Sequence, residues 1–315
     1  MAWSIFFLAV GFAALIKGAD YLIESSSTLA RHAGVSDFVV GLTIIAIGTS
    51  LPEFFISVVS SEQSAGNLLV GNVFGSNVTN ILLILGILAF FRPLRMRVAT
   101  VMKEIPFIVL LSGFVALIAT GTGATRTIGV SEGVALLAVF AGFLYYIYRF
   151  SRNEILGPSG SSEVKVMNPV AILVSLGLGC LGLVFGSQIV VTSAVALSAM
   201  LGVSQAAVGL TVIALGTSLP ELATSLLALA KERNDMAVGN IIGSNVFNIS
   251  MALGTAALIR PVVFSASLLR DLLISLAAAI LLFIFAFTGE RFVVKRWQGV
   301  ALLVLYAVYI ASLLY

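Results

Sequence analysis

Two segments of this chain, 168 residues apart, are nearly the same. GLTIIAIGTSLPEFFIS begins at Gly41 and GLTVIALGTSLPELATS at Gly209; VGNVFGSNVTNI begins at Val70 and VGNIIGSNVFNI at Val238. From Gly41 to Gly86 half of the positions are identical to their partners, without a gap. The same offset pairs Gly18 with Gly186, and AGVS near Ala33 with LGVS near Leu201. Shared hydrophobicity cannot produce this, because the matching letters are Gly, Thr, Ser, Pro, Glu and Asn. A chain written this way folds as two related units.

The solvent of those units follows from composition. The chain is 60% hydrophobic and 10% charged, with a mean hydropathy of +1.13, where a water-soluble domain carries about a quarter charged residues. Ten apolar runs lie near 2–30, 36–60, 67–91, 104–120, 127–149, 168–200, 204–229, 236–258, 266–288 and 297–315. Each is close to the ~20 residues that span a bilayer as a helix. The first run lacks a basic leader and a clear small-residue cleavage site, so it reads as a membrane helix and not as a removed signal peptide. The longest polar break, about 149–167, holds Gly, Pro and Ser and reads as a linker. The expectation is an all-α polytopic membrane protein of ten transmembrane helices. Residues 1–150 form one five-helix repeat, 151–167 a cytoplasmic linker and 168–315 a second repeat. Five is odd, so the second copy enters the membrane upside down, which is the inverted-repeat plan of secondary transporters.

Basic residues set the orientation. With the N-terminus outside, the inside loops hold Arg31, Arg92, Arg95, Arg97, Lys103, Arg149, Arg152, Lys165, Lys231, Arg233, Arg291, Lys295 and Arg296. The outside loops hold only Arg126, Arg260 and Arg270, while Lys17 lies within the first run. The positive-inside rule therefore puts both termini outside a plasma membrane. The pI of about 9.1 then reflects basic loops facing the cytoplasm, and nucleic acid is not an expected partner.

The polar chemistry is concentrated in GTSLPE, residues 48–53 and 216–221. Pro52 and Pro220 lack an N–H, so the carbonyls of Gly48 and Gly216 lose their helical donors and both helices should kink or break. Such breaks persist at membrane depth only where they line a cavity or bind something. Thr49, Ser50, Thr217 and Ser218 add hydroxyl oxygens to the same turns. Glu53 and Glu221 follow, and a carboxylate at bilayer depth costs about 3 kcal/mol or more. Pseudo-symmetry brings the two acids together, where both cannot stay ionised without a cation between them. Ser76 and Asn80 lie four apart on one face of the next helix, as do Ser244 and Asn248, and aim oxygens at the same centre. Asn72, Asn77, Asn240 and Asn245 read as hydrogen-bonding residues of helix packing. Gly71, Gly75, Gly239 and Gly243 form small-residue faces for close helix approach. An all-oxygen shell suits hard cations such as Ca²⁺ and Na⁺. With Cys180 the only cysteine and His32 the only histidine, zinc sites and Ser-His-Asp chemistry are excluded.

GTSLPE followed by GN-x-x-GSN-x-x-N, present twice in inverted halves, resembles the sodium/calcium exchanger superfamily, in particular its compact prokaryotic members. The resemblance covers essentially the whole chain. It implies that Glu53 and Glu221 are shared Ca²⁺ and Na⁺ ligands, helped by Thr49, Ser50, Thr217, Ser218, Ser76, Asn80, Ser244 and Asn248. It further implies that the backbone carbonyls of Ala46 and Ala214 join them. Some relatives carry Asp where this chain has Asn248, and those that depend on K⁺ are among them. The implied function is exchange of Na⁺ for Ca²⁺ by alternating access, electrogenic and independent of K⁺, with the two ions as substrates, the bilayer as environment, no cofactor and no obligatory protein partner. Two carboxylates give −2, which one Ca²⁺ neutralises; the three Na⁺ of the family would leave +1. A Ca²⁺/H⁺ antiporter using the same acids is the nearest rival. A cation channel is a second, and an intramembrane hydrolase a distant third, since no nucleophile or metal ligand set is at hand for an enzyme. Outside the site, Lys17, Asp20 and Glu24 read as a locally paired group, and Glu62, Glu104, Glu132, Glu154 and Glu163 as solvated residues at helix ends.

Overall fold

The computed structural model describes residues 1–63, 65–120, 127–151, 168–201, 216–264 and 266–314. Nearly all of them are helical, because a backbone in hydrocarbon has to satisfy its polar groups within its own segment. α1 spans Ala2–Ala33 and ends on Gly34, whose φ of 66° supplies the left-handed cap that glycine adopts at little cost. The second span is broken. It runs as α2 (Asp37–Val40), a π turn (Gly41–Ile45) and α3 (Ala46–Thr49), then bends by 46° into α4 (Leu51–Glu62). α5 (Gly66–Val78), a π turn (Thr79–Ile84) and α6 (Leu85–Phe91) make the third span. A π turn at Thr100–Glu104 leads into α7 (Ile105–Thr120), followed by α8 (Val130–Ser151).

The second half opens with α9 (Pro169–Met200). Asn168 caps it by accepting from Ala171 N at 2.8 Å, and proline fills the first position, where no N–H is needed. α10 (Leu219–Ala230) continues a span whose earlier part, with the Gly209 copy of the repeat, lies outside the described residues. Then come α11 (Asn234–Phe247), a π turn (Asn248–Ala252), α12 (Leu253–Ile259), α13 (Ala266–Phe285) and α14 (Arg296–Leu314). Among the described residues eight helices are long and apolar enough to cross a membrane, and the bent second span makes nine. The expected tenth is described only over α10. The linker at 152–167 also lies outside, together with Arg152, Glu154, Glu163 and Lys165; so do Arg126 and Ala214.

The two halves interlock reciprocally. α1 and α9 occupy matching positions in the repeat and cross antiparallel: a Cβ on Gly18 would sit 2.7 Å from Leu183 N, and one on Gly11 would sit 3.0 Å from Gly186 O. Under the 168-residue offset, Gly11 matches Gly179 and Gly18 matches Gly186, so this close contact is its own image. α11 seats against the second span in the same manner. A Cβ on Gly243 would run into Leu42 O, and one on Gly239 would lie 2.8 Å from Phe38 O. The segment on which Gly71 and Gly75 would seat equivalently, 204–215, is outside the described residues. Two short antiparallel ribbons close the ends: β1 (Leu94–Arg95) pairs with β4 (Val293–Val294), and β2 (Thr127–Ile128) with β3 (Val262–Val263). α7 runs from the β1 end to the β2 end, so the ribbons lie at opposite ends of the bundle. α5–α6 and α11–α12 are buried along most of their length, while α1, α9 and α14 keep an apolar side outward, with Trp3, Phe6, Ile16, Leu178, Phe185 and Val304 exposed. That is the arrangement expected of helices that face lipid.

Two sequence expectations about charged residues are corrected here. Glu104 is 2% exposed, not solvated, and accepts a hydrogen bond from Tyr146 of α8 at 2.9 Å; the π turn at 100–104 ends on it and tucks it between helices. Asp20 and Glu24 pair across the fold and not along α1. Lys231, in the turn after α10, lies 2.6 Å from Asp20 and 2.5 Å from Glu24, and Arg233 reaches Glu24 at 3.9 Å and Ser27. A local i, i+4 pairing motif cannot reveal a partner 211 residues away.

Candidate ion site

Both helix breaks fall where proline requires them, and they match. Ser50 and Ser218 are the hinge residues, with φ, ψ of −88°, 8° and −89°, 5°. The new helices α4 and α10 begin one residue later, with Pro52 and Pro220 in the first two positions. Glu53 and Glu221 therefore sit in first turns, at the positive end of a helix dipole that favours a carboxylate. A serine at this position ordinarily caps its own helix. Neither does so here, and the hydroxyls are left for the other half.

The two halves hold each other's groups. Ser50 Oγ donates to Glu221 Oε1 at 2.8 Å, and Ser244 Oγ reaches the same oxygen at 3.5 Å. Thr49 approaches Glu221, and Thr217 approaches Glu53. Thr49 Oγ1 also donates to Asn240 Oδ1 at 3.1 Å, and Asn240 Nδ2 donates to Ser225 Oγ at 3.0 Å. In the first half Asn72 Nδ2 donates to Glu53 O at 2.9 Å and to Ser57 Oγ at 3.1 Å. Asn72 and Asn240, Ser57 and Ser225 are repeat partners, so one bracket supports both broken helices from the helix behind.

The asparagines of the third and eighth spans form a second reciprocal set. Asn80 Nδ2 donates to Asn245 Oδ1 at 3.1 Å, and Asn248 Nδ2 donates to Asn77 Oδ1 at 3.2 Å. Each pair joins opposite halves, and each is the image of the other. Asn80 lies on, and Asn248 opens, a π turn, a local widening common at functional sites. With each amide nitrogen turned to the opposite half, the carbonyl oxygens of Asn80 and Asn248 are left buried without a partner among the described residues.

Those oxygens belong to a group of buried, unsatisfied atoms. Glu53 Oε1 and Oε2, Glu221 Oε2, Ser218 Oγ, Asn80 Oδ1 and Asn248 Oδ1 are buried without a hydrogen bond of normal geometry among the described residues. Glu53, Glu221 and Asn248 are 0% exposed. Native interiors leave few polar atoms unpaired, and five of these six are carboxyl or amide oxygens, which accept when unprotonated. Such a set fits a cation of the hard, oxygen-preferring class. Among the described residues no group of three or more His, Cys, Asp or Glu could hold a metal ion in the usual way.

The remaining expected ligands are distributed as follows. Ser76 is buried one helical turn before Asn80. Thr217 is half-buried beside the second hinge. Ala46 O accepts from Ser50 N at 3.1 Å, Thr49 Oγ1 at 3.3 Å and Ser244 Oγ at 3.5 Å, so its lone pairs face donors in this structure. Ala214 lies outside the described residues. The residue that sequence reasoning missed is Ser187 on α9, whose hydroxyl donates to Gly216 O. No motif signals it, because its partner in the first half is Ala19.

Comparison with known proteins places the chain as a whole. A family model described as "Sodium/calcium exchanger protein" matches residues 3–149 and 171–315. The chain belongs to the sodium/calcium exchanger family. It is 30% identical to the sodium/calcium exchanger MaX1 of Methanosarcina acetivorans over 98% of this chain and 97% of that one. It is 35% identical to the putative antiporter CaxA of Alkalimonas amylolytica, over 96% of both chains. A solved structure of the sodium-calcium exchanger NCX_Mj, soaked with Na⁺ and Sr²⁺, superposes with a TM-score of 0.82 at 32% identity, covering 98% of this chain and 97% of that one. The chain is accordingly a multi-pass helical membrane protein of a transporter family and not a catalytic enzyme in the usual sense.

Proposed function

We propose that this chain exchanges Na⁺ for Ca²⁺ across the plasma membrane by alternating access. The observation that carries the reading is the set of unpaired buried oxygens contributed by both halves: oxygens of the two acids, two asparagine carbonyls and a hinge hydroxyl. One Ca²⁺ neutralises the −2 of Glu53 and Glu221. Na⁺ ions compete for the same oxygens, because occupancy by either ion removes the repulsion between the acids. Any ratio above two Na⁺ per Ca²⁺ moves net charge, so the cycle is electrogenic. The neutral side chain of Asn248 leaves no further carboxylate to hold K⁺.

Residues Glu53, Glu221, Thr49, Thr217, Ser50, Ser218, Asn80, Asn248, Ser76 and Ser244 are the proposed ligands and close supports, with the carbonyl of Ala46 joining when its hinge donors turn away and that of Ala214 as a further ligand. The excess of basic residues at the β1–β4 end puts that end in the cytoplasm and both termini outside. Cysteines placed at Arg95 and at residue 160, in a Cys180→Ser background, should react with an impermeant reagent from the cytoplasmic side only. The test of function is ⁴⁵Ca²⁺ uptake into proteoliposomes with Na⁺, K⁺ or H⁺ gradients imposed one at a time. Uptake driven by outward Na⁺ alone supports the reading. Uptake driven by H⁺ and indifferent to Na⁺ replaces it with Ca²⁺/H⁺ antiport, which the acid pair and the likeness to the putative antiporter CaxA make the second reading.

A further inference from the structure

The two halves are matched at the carboxylates and asparagines but not at the carbonyls that their prolines release. Pro220 cannot donate to Gly216 O. In the second half that carbonyl accepts instead from Ser187, a 6% exposed residue of α9. In the first half the corresponding place is held by Ala19, which has no donor. α9 also presses on both breaks. Cys180 Sγ lies 3.0 Å from where a Cβ on Gly48 would be, and Val191 Cγ2 occupies the space a Cβ on Gly216 would need. Cys180 and Ser187 are seven residues apart, two turns of helix or about 10 Å. One long helix thus reaches both hinges but hydrogen-bonds to Gly216 of the second.

Gly216 precedes Thr217 and Ser218, the turn that approaches Glu53. Both Glu53 oxygens and Ser218 Oγ are among the unpaired buried atoms. Without that donor Gly216 O would be a buried carbonyl lacking this hydrogen bond, and the turn would be held less firmly. We propose that Ser187 is a positioning residue for the ion site: its hydroxyl occupies the carbonyl freed by Pro220 and holds the Thr217–Ser218 turn towards Glu53. It touches no ion in this arrangement and acts through that turn. The proposal rests on the reading of the oxygen cluster as a cation site.

The experiment is equilibrium binding of ⁴⁵Ca²⁺ to the purified full-length protein and to Ser187→Ala, Ser187→Thr and Ser187→Cys, each checked for folding by its gel-filtration profile. One neutral hydrogen bond corresponds to roughly a fivefold change in affinity. Ser187→Ala is therefore expected to weaken Ca²⁺ binding roughly fivefold with the number of sites per folded protein unchanged, and Ser187→Thr to restore it. If Ser187→Ala does not fold, Ser187→Cys, of similar shape but a weak donor, carries the same comparison. Unchanged affinity in the donor-deficient variant overturns the proposal, as does equal weakening by Ser187→Thr, or loss of sites instead of affinity. If the unaltered protein itself binds no Ca²⁺, the cation-site reading fails and this proposal falls with it.

Discussion

The hydroxyl of Ser50, in the first half, donates to a carboxylate oxygen of Glu221 in the second, at 2.8 Å. The bond takes the hydroxyl from the helix it would ordinarily cap and spends it on the acid across the pseudo-two-fold axis. Removing it should loosen that acid without removing charge. Ser50→Ala is expected to raise the Ca²⁺ concentration for half-maximal exchange about five- to tenfold, a charge-assisted hydrogen bond being worth more than a neutral one. Glu221→Gln and Glu53→Gln should each abolish Ca²⁺ transport while the protein still folds. Flux measurements in vesicles check all three, and wild-type exchange by Glu221→Gln would sink the shared-site idea.

Asn77 and Asn245 support the site at one remove. Their side-chain oxygens hold the amides of Asn248 and Asn80, so Asn245→Ala should let the Asn80 amide turn and present a donor where a cation needs an acceptor. Apparent Ca²⁺ affinity should fall about threefold or more, and Asn77→Ala should do the same through Asn248. The check is a pair of Ca²⁺ titrations of Na⁺-driven exchange. Sensitivity in one half only would contradict the reciprocal arrangement.

Asn248 also bears on ion choice. A neutral carbonyl leaves the cavity with two carboxylates, and an added cation in a low-dielectric site needs added negative charge. Na⁺-driven Ca²⁺ flux should therefore be the same when K⁺ is replaced by choline with membrane potential clamped. A flux that collapses without K⁺ and returns with it would refute this.

Lys231 clamps α1 to the α10–α11 turn. Burial alone would lower its pKa, but the hydrogen bonds and charges of Asp20 and Glu24 outweigh that and raise it above the ordinary lysine value. A raised pKa in the folded state means that the contribution is complete below the unfolded lysine value of about 10.4 and is lost as pH climbs through the folded one. Since Asp20 and Glu24 are half-exposed, the effect is modest. Lys231→Gln should lower the thermal midpoint by about 1–4 °C, equally from about pH 7 to 9, with the difference shrinking as pH climbs past the ordinary lysine value. Thermal scans of the two proteins over that range decide it, and a difference that grows above pH 10 would be the wrong sign.

How much of this was legible beforehand depends on the range of each interaction. The bends at Ser50 and Ser218 were readable because proline acts on its own helix, and the acids beside them because a carboxylate in an apolar run has no ordinary reason to be there. The meeting of the halves was readable because the repeat carries its symmetry in the letters. Asn77 and Asn245 looked like packing residues and do bond between helices, but which amide each one orients depends on partners 171 and 165 residues away that no local pattern records. Glu104 looked solvated because a helix end is usually wet; Tyr146, 42 residues on, covers it. Ser187 escaped because the repeat argument weights positions that match, and this one departs from its partner.

The two terminal ribbons have a consequence for synthesis. β1 cannot pair until Val293 and Val294 have been made, and β2 waits for Val262 and Val263. A nascent first half in the translocon therefore carries open strand edges at both ends and Glu53 facing no opposite acid and no Thr217. Its helices can insert, but its topology is not locked until almost the last span emerges. Quality control would have a clear mark for a truncated product: a bundle with two unpaired strand stubs and a bare carboxylate at its centre.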